Sequence, residues 1–174
     1  NDLKNWVRSG GKVIAIDQAV NVFADKEGFG LKSITTESSE EPNMIPYGDR
    51  ERHSVKDLIT GSIYKVNLDT THPLAFGYTG PYFSLKQDDD AYLKLDIGYN
   101  VGYFDGPAES YSGFSGKDAQ EKLNDSFVFG EYPIGQGTMV YLTDDVLFRS
   151  FWENGKMFFV NSLFMVDANV FILD

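Results

Sequence analysis

The run Val13-Ile14-Ala15-Ile16 constrains this chain more than any other stretch. Four consecutive apolar residues bounded by turn signals suit a strand buried on both faces, as in the interior of a parallel sheet. Upstream, Leu3, Trp6 and Val7 recur at helical spacing, and Gly10-Gly11 closes that helix because glycine accepts the left-handed backbone of a helix C-terminus. Gln18 to Phe23 reads as a second helix. Helix, Gly-Gly, buried strand and helix form an α/β rhythm, which predicts an α/β domain with a mostly parallel central sheet flanked by helices.

Residues 28–57 break the rhythm. Ser33 to Asn43 is polar and acidic and Pro46 to Lys56 is charged, so the segment reads as a surface excursion. Further along, Gly61 to Leu68, Phe83 to Leu85, Tyr92 to Ile97, Asn100 to Phe104 and Ser126 to Phe129 have strand character, some of it antiparallel in prospect. Thr138 to Leu142 follows the glycine turn Gly135-Gln136-Gly137 as another strand. Gly116 to Leu123 reads as a helix. Val146 to Trp152 and Lys156 to Phe164 read as one or two more, with Leu147, Phe148, Phe151, Phe158 and Phe159 on the apolar face. The tail Val170-Phe171-Ile172-Leu173 is apolar and could add a strand. The whole of 1–174 is expected to be one domain.

Composition excludes several functions. The formal net charge of −11 repels phosphate backbones and anionic membrane surfaces, so nucleic acid is a poor partner. No run reaches the roughly 18 apolar residues needed to span a bilayer. The chain has no cysteine and two histidines, His53 and His72. A hydrolytic zinc site commonly takes three His or carboxylate ligands, and neither histidine has a Glu three positions on, since Lys56 and Ala75 stand there. No metal or other cofactor is expected in this chain.

Other motifs reduce to structure. Tyr111-Ser112-Gly113-Phe114-Ser115-Gly116 comes nearest to a nucleophile elbow but reads as a small-residue turn. Gly10-Gly11-Lys12 lacks the spacing of a phosphate loop. Asp88-Asp89-Asp90 lacks the spaced ligands of a calcium loop and reads as a solvated hairpin tip. Asp144-Asp145 precedes a predicted helix, where carboxylates face the positive end of the dipole. Tyrosines near Gly and Asp can form a platform for sugar rings. Tyr78, Tyr103 and Tyr111, with His72, are therefore the candidate ligand contacts. Arg149 and Trp152 are expected to be structural, with Arg149 buried and paired to Asp69 or Asp144.

Four segments together resemble known proteins. Leu3-Lys4-Asn5-Trp6-Val7-Arg8-Ser9-Gly10-Gly11-Lys12-Val13-Ile14-Ala15 looks like the helix-to-strand unit of class I glutamine amidotransferase-like domains. Leu68 to Tyr78, Tyr111 to Phe114, and Phe148 to Gly155 with Asn161-Ser162 resemble the C-terminal region of secreted zinc carboxypeptidase-like proteins of Bacteroidetes-type bacteria. The resemblance implies a flavodoxin-like, amidotransferase-like domain lacking its first strands, with an open sheet edge through which the chain could self-associate. It also implies a periplasmic or extracellular location, with any signal peptide and the zinc chemistry in an upstream domain. Amidotransferases of this class use a cysteine nucleophile, and this chain has none. The expected role is therefore a non-catalytic accessory domain that stabilises the peptidase or assists substrate binding. An independent carbohydrate- or peptide-binding module and a hydrolase with an unfamiliar site are the alternatives.

Overall fold

The computed structural model describes residues 2–35 and 45–167. Helix α1 (Asp2–Arg8) leads into strand β1 (Lys12–Ile16), as the residue pattern predicts. Gly10 ends the helix at a φ of 110°, a conformation side chains rarely adopt. A 3-10 turn, Asp17–Val22, stands where a second helix is expected. Helix α2 (Arg50–Val55) precedes the long strand β2 (Ile59–Leu68). Strands β3 (Tyr82–Lys86), β4 (Tyr92–Leu93), β5 (Tyr99–Tyr103) and β6 (Ser110–Ser115) follow. Helix α3 (Lys117–Lys122), strands β7 (Ser126–Ile134) and β8 (Gly137–Leu142) and helix α4 (Glu153–Phe164) complete the described chain. Tyr111 to Gly116, expected as a turn, is therefore largely strand. The tail Val170 to Leu173 lies outside the described residues.

The expectation of a mostly parallel, flavodoxin-like α/β sheet is overturned. The strands form one mixed, mostly antiparallel sheet curled into a half-barrel, in the order β1-β8-β7-β5-β2-β3, with β4 on β7 and β6 on β2. Among the described residues only β1 and β8 run parallel. The reason lies in the connections. Parallel neighbours need a crossover of a dozen or more residues, usually helical, whereas short loops force antiparallel pairing. Here Ile134 pairs with Gly137 across the two-residue loop Gly135-Gln136, so β7 and β8 form a hairpin. Helices α1, α2 and α3 each precede a strand, but the parallel neighbours β1 and β8 are separated by all of β2 to β7 and not by a single crossover helix. Among the described residues β1 pairs with β8 alone and ends the sheet.

The β1-β8-β7 part of the sheet is covered on both faces, with β8 buried and β1 half-buried, and alternation sorts its side chains. Ile14, Ile16, Val140 and Leu142 face one core with Tyr64, Tyr82, Phe129 and Phe158. Val13, Ala15, Met139 and Tyr141 face a second core with Val7, Val20 and Leu31. In β7 the alternation breaks, because Val128 and Phe129 both enter the first core while Phe127 enters the second. The β5-β7 register shifts at this point, as a bulge requires. The excursion at 28–57 is not wholly superficial. Leu31 is buried, Ile34 packs against the first core, and the Ile34 amide donates to the Ala91 carbonyl. Residues 36–44 of that segment lie outside the described residues.

Burial raises the pKa values of the phenols of Tyr64, Tyr78, Tyr82, Tyr92 and Tyr141 above the ordinary value of 10. A group whose folded pKa is raised stabilises the fold fully below its unfolded pKa, and that contribution is lost as pH climbs toward the folded value. Stability is therefore expected to fall steeply above pH 10, with these phenols ionising as the fold opens. Phenolate absorbance and far-ultraviolet circular dichroism followed together through an alkaline titration check this. Complete phenol ionisation near pH 10 with unchanged dichroism would contradict it.

Candidate functional site

His72 follows β2, at the N-terminus of the 3-10 turn Pro73–Ala75, and it is buried. Its Nδ1 accepts the Leu74 amide at 3.1 Å. A neutral imidazole that accepts at Nδ1 carries its proton on Nε2. That Nε2 faces Glu131 Oε2 at 3.3 Å, and Thr138 Oγ1 donates to Glu131 Oε1 at 2.8 Å. Tyr99 leans on the imidazole with ring centroids 4.7 Å apart. Gly98 makes this approach possible. Its φ is 98°, and a Cβ there would stand 2.1 Å from the Glu131 carbonyl oxygen. Beside His72, Asp69 accepts from the Thr71 amide at 3.0 Å and the Thr71 hydroxyl at 2.5 Å, which hold its carboxyl below the ordinary value. Asp69, Thr71, His72, Tyr99 and Glu131 line a cleft of about 230 Å³. The imidazole presents no lone pair to that cleft: one nitrogen is occupied by an amide and the other bears the proton. General-base chemistry needs such a lone pair within reach of the proton it removes.

Tyr103 and Tyr111 lie apart from His72, on the outward side of the β3-β2-β6 region. Tyr103 pairs with Asn67 across β5 and β2. Lys65, two residues back on β2, pairs with Phe83 of β3. The Phe83 ring meets that of Tyr111 edge to face at 5.1 Å. Tyr103 lines a polar groove of about 530 Å³ together with Lys65, Asn67, Thr70, Thr79 and Asp105, and Tyr111 is not part of that lining. Tyr111 is 72% exposed. The Lys94 ammonium sits 4.9 Å from the centroid of the Tyr103 ring and 4.0 Å from Asp105.

The other expected contacts fall elsewhere. Tyr78 is half-buried against the core, stacked on Phe158 at 4.5 Å with its hydroxyl bound to the Asn154 carbonyl. Trp152 is structural, since its indole donates to the Tyr82 hydroxyl at 2.9 Å. Arg149 is a correction. It is exposed, its guanidinium lies over the Phe148 ring at 4.9 Å, and its φ of 48° places it in the left-handed region. Neither acid expected to pair with it is available: Asp69 is engaged by Thr71, and Asp144 by Ser84 and Lys86. A left-handed turn at Arg149 and Ser150 breaks the predicted Val146 to Trp152 helix and turns this side chain outward.

Sequence reasoning missed the buried cation Lys86. Its ammonium lies 3.3 Å from Asp144 Oδ1 and 3.3 Å from Asp88 Oδ1. Burial works against its charge, but the two carboxylates outweigh burial and raise its pKa. The acidic tip at 88–90 is thus not a solvated hairpin: Asp89 accepts from Lys122 and Asp90 from Asn21. Asp145 caps locally, accepting the Leu147 amide at 3.0 Å. Glu131 was also missed. Its one signal was position, a carboxylate following the apolar strand Phe127-Val128-Phe129. Among the described residues no group of three or more histidines and acids is placed to hold a metal, and no helix is long and apolar enough to cross a membrane. No protein-family model, curated protein or solved structure matches this chain.

Proposed function

We propose that this chain is a non-catalytic accessory domain of a larger secreted hydrolase of the zinc carboxypeptidase-like kind, placed in the periplasm or outside the cell. The observation that carries the absence of catalysis is the His72 arrangement. Its imidazole bridges the Leu74 amide and the Glu131 carboxylate. That is the work of a positioning group, and it leaves this imidazole no free lone pair with which to activate a nucleophile. The three segments Leu68 to Tyr78, Tyr111 to Phe114, and Phe148 to Gly155 with Asn161-Ser162, by their resemblance, support the link to a carboxypeptidase-like parent. Docking on the rest of such a polypeptide is supported by α4, where Met157, Val160 and Phe164 fall at helical spacing and are exposed, with Phe76 exposed nearby.

Two measurements test the proposal. The purified chain is expected to show no turnover of peptide, ester or glutamine substrates. Turnover that His72→Ala abolishes would reject the reading in favour of a hydrolase. The reading frame encoding the chain is expected to carry a peptidase domain upstream, and deleting residues 2–167 from that polypeptide is expected to lower the peptidase's melting temperature or its activity on large substrates. An unchanged peptidase would reject the accessory role.

A further inference from the structure

We propose that His72 is a proton-controlled latch on helix α4: on taking up a second proton its imidazole releases the Leu74 amide, and with it the hold of the Pro73–Ala75 turn on the helix. The latch rests on the neutral, doubly engaged imidazole described above and not on the link to a peptidase.

Three connections make the latch. The first is the acceptor. Nδ1 takes the Leu74 amide at 3.1 Å, so a proton arriving on Nδ1 sets donor against donor. Leu74 is fully buried, and an unpaired buried amide is costly, so the turn must shift to relieve it. The second is the link to α4. The buried Asn161 donates its side-chain amide to the Leu74 carbonyl at 2.9 Å and to the Phe76 carbonyl at 2.8 Å. The residue whose amide His72 holds is thus the one whose carbonyl holds the helix. The third is what keeps the ring in place. Glu131 of β7 lies 3.3 Å from Nε2, and Asp69 lines the same cleft. Both carboxylates attract an imidazolium, so the charged ring stays and the turn moves.

The other groups around the ring are Thr71 beside Asp69, Tyr99 of β5, Thr138 of β8 on Glu131, and Asp167 after α4. Lys12 of β1 donates its ammonium to the Leu163 and Val166 carbonyls at the end of α4. Histidine is the side chain that ordinarily changes charge between about pH 5 and about pH 8. The chain has two, and the other, His53, stands on α2. Helix α4 carries the exposed Met157, Val160 and Phe164, so the proton state of His72 sets how firmly that apolar face is held.

The test is nuclear magnetic resonance on the whole chain from about pH 8 to about pH 5, reading the ring-nitrogen shifts of His72 together with hydrogen exchange. At the upper end the shifts are expected to place the proton on Nε2. As Nδ1 is protonated, the Leu74 amide and the Asn161 side-chain amide are expected to lose protection about tenfold with the same midpoint, the equivalent of one hydrogen bond, after correction for the intrinsic pH dependence of exchange. His72→Asn keeps an oxygen acceptor for the Leu74 amide and has no proton to gain, so its protection is expected to stay level. His53→Gln is expected to behave as the parent chain. His72→Asn leaves Glu131 without its imidazole, so the double variant with Glu131→Gln repeats the comparison if the single variant unfolds. An imidazole that stays neutral to about pH 5 overturns the latch. So does protection that holds while the ring titrates, a loss at Leu74 that Asn161 does not share, or a pH dependence that survives His72→Asn. Exchange is read here and turnover in the test of the accessory role, so the two failures are distinguishable.

Discussion

Asp144→Ala is expected to destabilise the fold by about 3–5 kcal/mol, the range for removing one partner of a buried ion pair. Asp144 is 6% exposed, and it binds both the Ser84 hydroxyl and the Lys86 ammonium. Lys86 is itself 3% exposed. Without Asp144 that cation keeps only Asp88, whose side chain is about one-third exposed. Coulomb attraction to a partly hydrated carboxylate does not offset the loss of solvation around a buried ammonium. The Ser84 hydroxyl loses its acceptor at the same time. Urea denaturation measures the effect as a lower midpoint with little change in slope. The double variant Lys86→Met with Asp144→Asn should recover part of the loss, since it removes the stranded charge and keeps an acceptor for Ser84. A loss below about 1 kcal/mol for Asp144→Ala, the scale of a surface pair, would mean that water reaches Lys86 and the cluster is not sealed.

Phe158→Ala is expected to cost a similar amount, about 3–5 kcal/mol, for a different reason. Phe158 is fully buried in α4 and meets three rings: Tyr78 at 4.5 Å, Phe129 at 4.6 Å and Tyr82 at 5.0 Å. It is the apolar pin between the helix and strands β3 and β7. Truncation removes its transfer free energy and leaves a cavity lined by rigid rings that collapse poorly. Phe158→Leu fills most of that space and should cost less than half as much. The two midpoints measured together separate packing from helix propensity, because alanine is the better helix former. Equal losses for the two variants would show that the cavity is not what costs stability.

Local features were legible because they depend on neighbours in sequence. Helix α1, its glycine stop, strand β1 and strand β8 follow from spacing and from runs of apolar residues. The same residues misled at the next level. A parallel pair does exist, β1 with β8, but it joins distant parts of the chain, and every other strand pairing among the described residues is antiparallel. An apolar run reports that a strand is covered on both faces and says nothing about the direction of its neighbours. Loop length carries that information, and the Gly135-Gln136 hairpin shows how strongly it acts.

The candidate residues divide in the same way. Tyr103, Tyr111 and Tyr78 were all chosen for ring chemistry, yet Tyr103 lines a polar groove, Tyr111 is exposed against Phe83, and Tyr78 packs half-buried against the core. Composition by itself determined that this chain has no thiol, two imidazoles and a strongly acidic balance. Those facts restrict its chemistry before any folding is considered. Only the tertiary structure decided that His72 is engaged at both nitrogens, that Lys86 lies buried between two acids, and that Arg149 points outward. These outcomes depend on which strands meet across tens of residues. That choice is made by the packing free energy of the whole core, to which each local stretch contributes only a small part.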